Sequence, residues 1–386
     1  MARVTLPRAG GGLESYTLGD PGDFRAPDAP PNRIAFAAAH VVADPLAEAD
    51  PWLDAAIDWD STLAYRHHLW SHGFAVAEAM DTAQRGMGLG WTEALELIRR
   101  SVAEAATVPG ASVFSGVGTD HLAQTAGLEL DTIRAAYLEQ LEAVQDVGGR
   151  VILMASRALA ASARGPDDYI RVYTDVLAQA EHPVIIHWLG DMFDPALKGY
   201  WGSDSFGPAM ATCLEMLSAN ADKIDGIKIS LLSKEAEIEM RRLLPSGIRM
   251  YTGDDFNYAE LIEGDAKGHS DALLGIFDAI APAASAALKH LAAGDGTRFN
   301  ALLSPTVPLS RHIFKAPTRF YKTGVVFLSW LNGHQDHFTM VGGQESTRST
   351  LHLAELFRLA DRAGLFAEPD RAAARMTLAM AIRGVS

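Results

Sequence analysis

Two short apolar runs, Pro183-Val-Ile-Ile-His187 and Gly226-Ile-Lys-Ile-Ser230, flank a segment of helical period at 208–220. Each run is too short and too apolar for a strand with one solvent face, and such runs are typical of parallel strands buried on both faces. A strand, a helix and a second strand in this order predict a βαβ unit. Residues 183–230 therefore indicate a parallel sheet covered by helices.

The alternation of apolar runs and helix-like segments continues along most of the chain. The predicted strands number eight, at 34–39, 74–79, 112–116, 151–155, 184–187, 226–230, 249–252 and 273–279. Eight parallel strands close a (β/α)8 TIM barrel. After residue 282 the pattern is helical almost throughout, at 283–293, 322–332, 349–364 and 372–383. We therefore predict an N-terminal lead-in at 1–32, a barrel at 33–282 and a C-terminal helical extension at 283–386.

The composition excludes several classes of partner. The 386 residues include 33 basic and 48 acidic side chains, which give a net charge of −15, so the surface repels nucleic acid and anionic lipid. A single cysteine, Cys213, allows no internal disulfide and indicates a reducing compartment. The sequence shows no secretory signal and no run of about 18 apolar residues. We therefore expect a cytoplasmic protein that binds neither nucleic acid nor a membrane.

Lys228 has the most specific chemical implication of any residue in the chain. It lies between two isoleucines in a predicted strand, where burial lowers the pKa of an amine and favours the neutral form that attacks a carbonyl. An ion-paired structural lysine is the alternative. His187 ends another predicted strand, and its ordinary pKa of about 6.5 suits either a proton shuttle or a satisfied buried histidine.

Further polar residues follow the ends of the predicted strands, where the loops of a barrel converge on the active site. The candidate substrate ligands are Asp81, Thr82, Gln84, Arg85, Ser156, Arg157, Gly253, Asp254, Asp255 and Asp278. The segment from Asp81 to Arg85 suits a polyhydroxylated ligand, although aspartate and threonine are also common helix caps. Of Asp254 and Asp255 we expect one to cap the next helix, with Asp255 the better candidate for substrate binding.

Two segments resemble a known family. Gly226-Ile-Lys-Ile229 is similar to the strand-six Gly-(Ile/Val)-Lys of the dihydrodipicolinate synthase and N-acetylneuraminate lyase family of class I aldolases. Thr252-Gly-Asp-Asp255 is similar to the Ser-Gly-Asp-Asp that follows in that family. The likeness extends from about Arg33 to Asn332 and is narrower still to the bacterial branch named domain of unknown function 993. It implies a barrel in which Lys228 forms the Schiff base.

The chain also departs from the pattern of this family. His187 stands where the family has its catalytic tyrosine, which implies altered proton chemistry. Asp81 to Arg85 replace a Gly-Thr-Thr-Gly-Glu loop that holds the carboxylate of pyruvate, so an aspartate would repel a 2-keto acid unless Arg85 binds the carboxylate. Asp278 replaces a serine or threonine, and an extra segment at 190–206 suggests a lid or an aromatic wall for a sugar ring.

These features predict a Schiff-base-forming lyase, of aldolase or dehydratase type, with Lys228 as nucleophile and His187 as proton shuttle. The expected substrate is a keto sugar, a sugar acid or a related 2-keto acid, and no cofactor or metal is expected. One alternative is a metal-dependent barrel lyase or isomerase on a sugar. Its strand-end ligands would come from His40, His187, Asp81, Asp255 or Glu78. A catalytically silent sugar-binding barrel is another. The family likeness also implies a homodimer or homotetramer.

Overall fold

Eight parallel strands form a closed barrel in a computed structural model that describes residues 2–123 and 125–385. A hairpin of β1 (Arg3–Pro7) and β2 (Leu13–Thr17) precedes the barrel. The barrel strands are β3 (Ala35–Ala38), β4 (Ala75–Glu78), β5 (Val113–Val117), β6 (Arg150–Met154), β7 (Val184–Leu189), β8 (Ile224–Ser230), β9 (Arg249–Thr252) and β10 (Asp271–Leu274). Each strand pairs with the next, and β10 pairs with β3 to close the ring. The predicted (β/α)8 barrel is confirmed.

Helices cover the outside of the barrel and continue beyond it. Those within and directly after the barrel are α1 (Trp59–Ser71), α2 (Trp91–Ala105), α3 (Leu130–Asp146), α4 (Arg157–Ser162), α5 (Pro166–Leu177), α6 (Phe206–Ala219), α7 (Lys234–Arg241), α8 (Tyr258–Glu263), α9 (Ile276–Ala279) and α10 (Ala281–Ala292). The C-terminal region adds α11 (Gly296–Leu303), α12 (Val307–Ile313), α13 (Tyr321–Asn332), α14 (Thr350–Arg362) and α15 (Pro369–Ile382). No helix of the described residues is both long and apolar enough to span a bilayer.

The interior of the barrel has an apolar floor. Phe36 contacts the rings of Phe114 and Tyr251, with centroids 5.1 and 5.8 Å apart. Gly226 makes room for this packing, because a Cβ there would lie 2.5 Å from the ring of Tyr251. Successive residues of a strand alternate between the two faces, so Lys228, two positions after Gly226, also faces the interior. The floor fills the N-terminal half of the barrel, and the polar interior lies above it.

The eighth barrel strand is shorter than predicted and lies earlier in the chain. The sequence predicts a strand at 273–279, whereas β10 ends at Leu274 and α9 follows from Ile276 to Ala279. Periodicity could not separate the two, because a short apolar run is equally compatible with a strand and with a buried helix. Asp278 therefore lies on a helix rather than on a strand.

The N-terminal segment forms a hairpin where the sequence analysis predicts no strand. Val4 and Leu6 are buried, and their neighbours Arg3 and Thr5 are exposed, which is the alternation of a strand with one buried face. Arg358 of α14 ties the hairpin down by donating hydrogen bonds to Glu14 and to the carbonyl of Pro7. The predicted division of the chain after residues 32 and 282 stays a prediction.

Candidate active site

Lys228 enters the barrel interior from β8 and is 8% exposed. Among residues 2–123 and 125–385, none forms a hydrogen bond or an ion pair with its amine. Gly253 leaves space for the side chain, since a Cβ there would lie 2.8 Å from Lys228 Cε and 2.3 Å from Ser230 Oγ. Burial lowers the pKa of Lys228, while the charges of Asp255 and Asp81 raise it. The site therefore contains a buried amine without a fixed partner.

Asp255 is the acidic neighbour of Lys228. It is 4% exposed, and its Oδ1 accepts a hydrogen bond from the backbone N–H of Ile276 at 2.9 Å. Burial raises the pKa of Asp255 to about 7, and the charge of Lys228 lowers it. A carboxyl group with this pKa exchanges its proton near neutral pH, as a general acid or base must.

His187 lies beside Lys228 on the neighbouring strand, and the two Cα atoms pair in the register of β7 and β8. Its Nε2 lies 3.2 Å from Ser230 Oγ, and the residue is 1% exposed. Burial and then the charge of Lys228 hold the pKa of His187 well below its ordinary value. The imidazole is therefore neutral at physiological pH and can both accept and return a proton.

A cavity of about 190 Å³ opens above these residues at the C-terminal end of the barrel. Its lining includes Asp81, Arg85, Asp120, Met154, Arg157, His187 and Asp194. Lys228 does not line it, but its two neighbours Asp81 and His187 do. A ligand in the cavity therefore meets Asp81 and His187 first, and Lys228 lies beyond them.

The loop after β4 contains four predicted ligands. Among them, Asp81 alone lines the cavity with a side chain that has no hydrogen-bonding partner among the described residues. Thr82 Oγ1 lies 2.7 Å from the hydroxyl of Tyr321, and Gln84 donates to the carbonyl of Val341 at 2.6 Å. Arg85 is 5% exposed and makes five hydrogen bonds, to the side chains of Asp120 and Gln140 and to the carbonyls of Gly116 and Ala79. Because a guanidinium has five N–H donors, Arg85 has none left for a substrate carboxylate.

Three further predicted ligands are engaged in the scaffold. Ser156 caps α4 by accepting from the N–H of Leu159, and Asp254 accepts from the backbone of Phe256 and Asn257. These bonds close the turn before α8, whose N-cap is Asn257, so the expectation that one aspartate of the pair caps this helix is wrong. Asp278 accepts from the backbone N–H of His40 and pairs with His40 Nδ1 at 2.9 Å. It forms a buried cluster beside the site rather than part of the cavity lining.

Arg157 does reach the cavity. It is half exposed, and its Nε donates to Asp194 of the segment that precedes α6. Arg157 begins α4 and Asp194 lies in the segment after β7, and the two side chains form a neutral pair at the rim. Their place agrees with a binding role for Arg157, which stays a prediction.

The extra segment at 190–206 is a packed part of the structure. Trp201 is fully buried, with its ring centroid 4.8 Å from that of Tyr173, and Tyr200 accepts a hydrogen bond from the N–H of Ser156 at 3.0 Å. Trp201 is therefore part of the core, whereas Tyr200 lines a cavity, and the aromatic wall suggested for this segment stays a prediction. This larger cavity of about 480 Å³ lies between this segment and α7, outside the barrel wall and away from Lys228.

The C-terminal region contributes two residues that the sequence analysis did not predict. Tyr321 reaches Thr82, and Lys322 Nζ donates to the carbonyl of Arg319 at 3.0 Å while it contacts Met87 Sδ at 3.3 Å. Burial lowers the pKa of Lys322 to about 8, whereas Asp81 raises it. The one sequence signal is a lysine at the start of α13, a helix otherwise buried almost throughout.

Two of the residues proposed for a metal-dependent alternative, Glu78 and His40, are held by other partners. Glu78 points away from the barrel interior and pairs with Arg66 at 2.7 Å, while His40 pairs with Asp278. No group of three histidine, cysteine or acidic side chains within 2–123 and 125–385 is arranged to hold a metal ion. This alternative therefore has no geometric support in the described part of the chain.

The family model DUF993, described as "Protein of unknown function", matches residues 4–385. No curated protein matches the chain. Dihydrodipicolinate synthase from Aquifex aeolicus is similar in structure, with a TM-score of 0.64 and 14% identity over 87% of this chain and 99% of that chain. YagE, a prophage protein of the dihydrodipicolinic acid synthase family from E. coli K12 in complex with pyruvate, has a TM-score of 0.64 and 14% identity over 92% of this chain and 99% of that chain.

The family match and the structural matches establish different things. At 14% identity the solved structures show the shared fold alone. The family model covers nearly the whole chain, from the N-terminal hairpin to the last helix. The chain therefore belongs to family DUF993, and its barrel has the fold of the dihydrodipicolinate synthase family.

Proposed function

We propose that this protein is a lyase of the class I aldolase type, in which Lys228 forms a Schiff base with a ketone. The observation that carries the proposal is the Lys228 amine, which is buried inside the barrel, has no partner among the described residues and has a lowered pKa. Its substrates belong to the keto sugars, sugar acids or related 2-keto acids. The shared fold with dihydrodipicolinate synthases supports the same class.

The first half of the reaction forms the covalent intermediate. The neutral amine of Lys228 attacks the carbonyl carbon, and a proton moves from nitrogen to oxygen to give a carbinolamine. His187 is neutral and adjacent, so it can relay this proton from nitrogen to oxygen. The hydroxyl then takes up one further proton, which the protonated form of Asp255 can donate. The C–O bond breaks, water leaves and an iminium ion remains.

The second half uses the iminium as an electron sink. A C–H or C–C bond on the neighbouring carbon breaks, and its electron pair moves to the iminium nitrogen to give an enamine. Asp255, with its pKa of about 7, can take up or return the proton of this step. Reprotonation of the enamine and hydrolysis by water then release the product and restore the Lys228 amine.

Reductive trapping tests the proposal. The protein is incubated with pyruvate or hydroxyacetone and sodium cyanoborohydride, and the labelled peptide is identified by mass spectrometry. We expect the label on Lys228, its loss in Lys228→Met, and its retention in the control Lys223→Met, whose lysine donates to the carbonyl of Ala180 away from the cavity. A label on Lys322, or none with either ketone, would contradict the proposal.

A further inference from the structure

We propose that the ketone of this site is small, uncharged and hydroxylated on the carbon next to the carbonyl, and that Asp81 is the residue that selects it. The inference rests on the Schiff-base function proposed above and narrows its substrate class. It excludes the 2-keto acids, which carry a carboxylate at that same carbon.

The charges around the cavity give the first argument. Five charged residues line it, and four of them are paired: Arg85 with Asp120 at 2.8 Å, and Arg157 with Asp194. Asp81 is the remaining one. It forms no ion pair with any residue that the structure describes. A carboxylate on the ligand would therefore meet a net negative surface, whereas a neutral ligand would not.

Hydrogen bonding gives the second argument. The carboxylate of Asp81 accepts no hydrogen bond from the described side chains or backbone, although an ionised carboxylate offers only acceptors. Two of the groups that could hold a ligand carboxylate are occupied, since Arg85 has used all five donors and the Thr82 hydroxyl is bound to Tyr321. The third, Arg157, lies at the rim and already has its charge balanced by Asp194, to which its Nε donates. A ligand that donates a hydroxyl to Asp81 satisfies this acceptor, and a ligand that presents a carboxylate does not.

The position of Asp81 determines which hydroxyl it meets. Its charge acts on the amine of Lys228, so it lies within electrostatic range of the reacting nitrogen. Asp81 and His187 are the two neighbours of Lys228 that line the cavity. In the proposed complex the ketone enters through this cavity and reacts with Lys228, and the hydroxyl on the carbon next to the carbonyl donates to Asp81.

The volume of the cavity limits the size of the ligand. It measures about 190 Å³, which corresponds to roughly six water molecules at about 30 Å³ each. Sites for larger organic ligands occupy about 300–1,000 Å³. A hydroxyketone of three or four carbons fits well within this space.

Competing probes of matched size test the inference. Rates of cyanoborohydride labelling at Lys228 are measured with hydroxyacetone, pyruvate and acetone on the full-length protein. Because a hydrogen bond to a charged acceptor is worth about tenfold to 100-fold in affinity, hydroxyacetone should label at least about tenfold faster than either other ketone. Asp81→Thr should remove most of this advantage and raise the rate with pyruvate, and Asp81→Asn should raise the pyruvate rate while it keeps part of the hydroxyl preference.

Each outcome has a defined meaning. The control Asp191→Asn changes an exposed acid outside this cavity and should leave the three rates in their original order. Pyruvate labelling as fast as hydroxyacetone in the unmodified protein would overturn the inference and leave the Schiff-base function intact. The same rate order in unmodified protein, Asp81→Thr and Asp81→Asn would also overturn it. Absence of any label on Lys228 would overturn both proposals.

Discussion

Two groups of buried charged residues lie on opposite sides of the barrel wall. On the outside, Arg66 of α1 donates two hydrogen bonds to Glu78 of β4, at 2.7 and 2.9 Å, and Ser101 of α2 donates a third at 2.5 Å. On the inside, the amine of Lys228 and the carboxylate of Asp81 have no such partner among the described residues. Both groups are buried or nearly so, but only the outer one is saturated with hydrogen bonds.

A second contrast concerns two carboxyl groups with raised pKa values. Burial raises the pKa of Glu237 to about 8, and its oxygens accept from the hydroxyls of Thr252 and Ser270 at 2.9 and 2.6 Å. Asp255 has a pKa of about 7 and faces Lys228 instead. A shifted pKa is therefore common to structural and candidate catalytic groups. What distinguishes Asp255 is its neighbour Lys228, an amine without a fixed partner among the described residues.

Among single substitutions inside the barrel, we expect the largest change in reaction rate from the loss of proton transfer at His187. Removing a general acid–base group costs about 10²–10⁴-fold in rate, so His187→Phe should slow deuterium exchange on hydroxyacetone in D₂O by about that factor. Exchange is followed by NMR, and trapping at Lys228 should slow as well, because both need the iminium that His187 helps to form. His187→Tyr, which restores the residue of the resembling family, should recover part of the rate.

The control for this experiment is another histidine, His72, which ends α1 at a distance from the cavity. His72→Phe should leave the exchange rate unchanged. An exchange rate in His187→Phe equal to that of the unmodified protein would show that another group carries the proton.

Substitutions in the outer group of Arg66, Glu78 and Ser101 should change the free energy of unfolding rather than the rate of the reaction. Arg66→Met leaves Glu78 buried and unpaired, which typically costs about 3–5 kcal/mol of unfolding free energy. Urea unfolding at neutral pH measures this. Lys228→Met is the matched variant inside the barrel and should be neutral or stabilising, because it removes a buried amine that has no partner to lose. A comparable loss of stability in both variants would contradict the distinction between the two clusters.

The sequence predicts the residues that belong to a strand better than those that depend on distant segments. Lys228 and His187 lie on barrel strands and Gly253 directly follows one, so their place follows from strand order and period. Arg85 was expected to bind substrate, but its guanidinium donates to Asp120 and to Gln140 of α3. No local sequence pattern reveals such distant partners. Asp81 acts electrostatically on Lys322, which lies nearly a hundred residues beyond Lys228 in the chain, and only the tertiary fold brings the two charges into range.

The smallest expected effect concerns Lys322 and depends on pH. Its pKa falls from 10.5 to about 8 on folding, so between these values the unfolded chain holds a proton that the folded chain has released. Stability therefore rises with pH through this window, and the full cost of burying the ammonium is present below about pH 8. Lys322→Met removes that cost and should stabilise the protein at pH 7 by about 1–4 kcal/mol, with a smaller gain at pH 10.

Urea unfolding at both pH values, with the exposed Lys267→Met as control, measures this gain. A loss of stability at pH 7 would mean that the contacts of Lys322 with the carbonyl of Arg319 and with Met87 outweigh its desolvation. A gain of stability at pH 7 would show that Lys322, like Lys228, is a buried amine that destabilises the fold. Both amines would then be placed for function, because the charge of Asp81, which lines the cavity, acts on both.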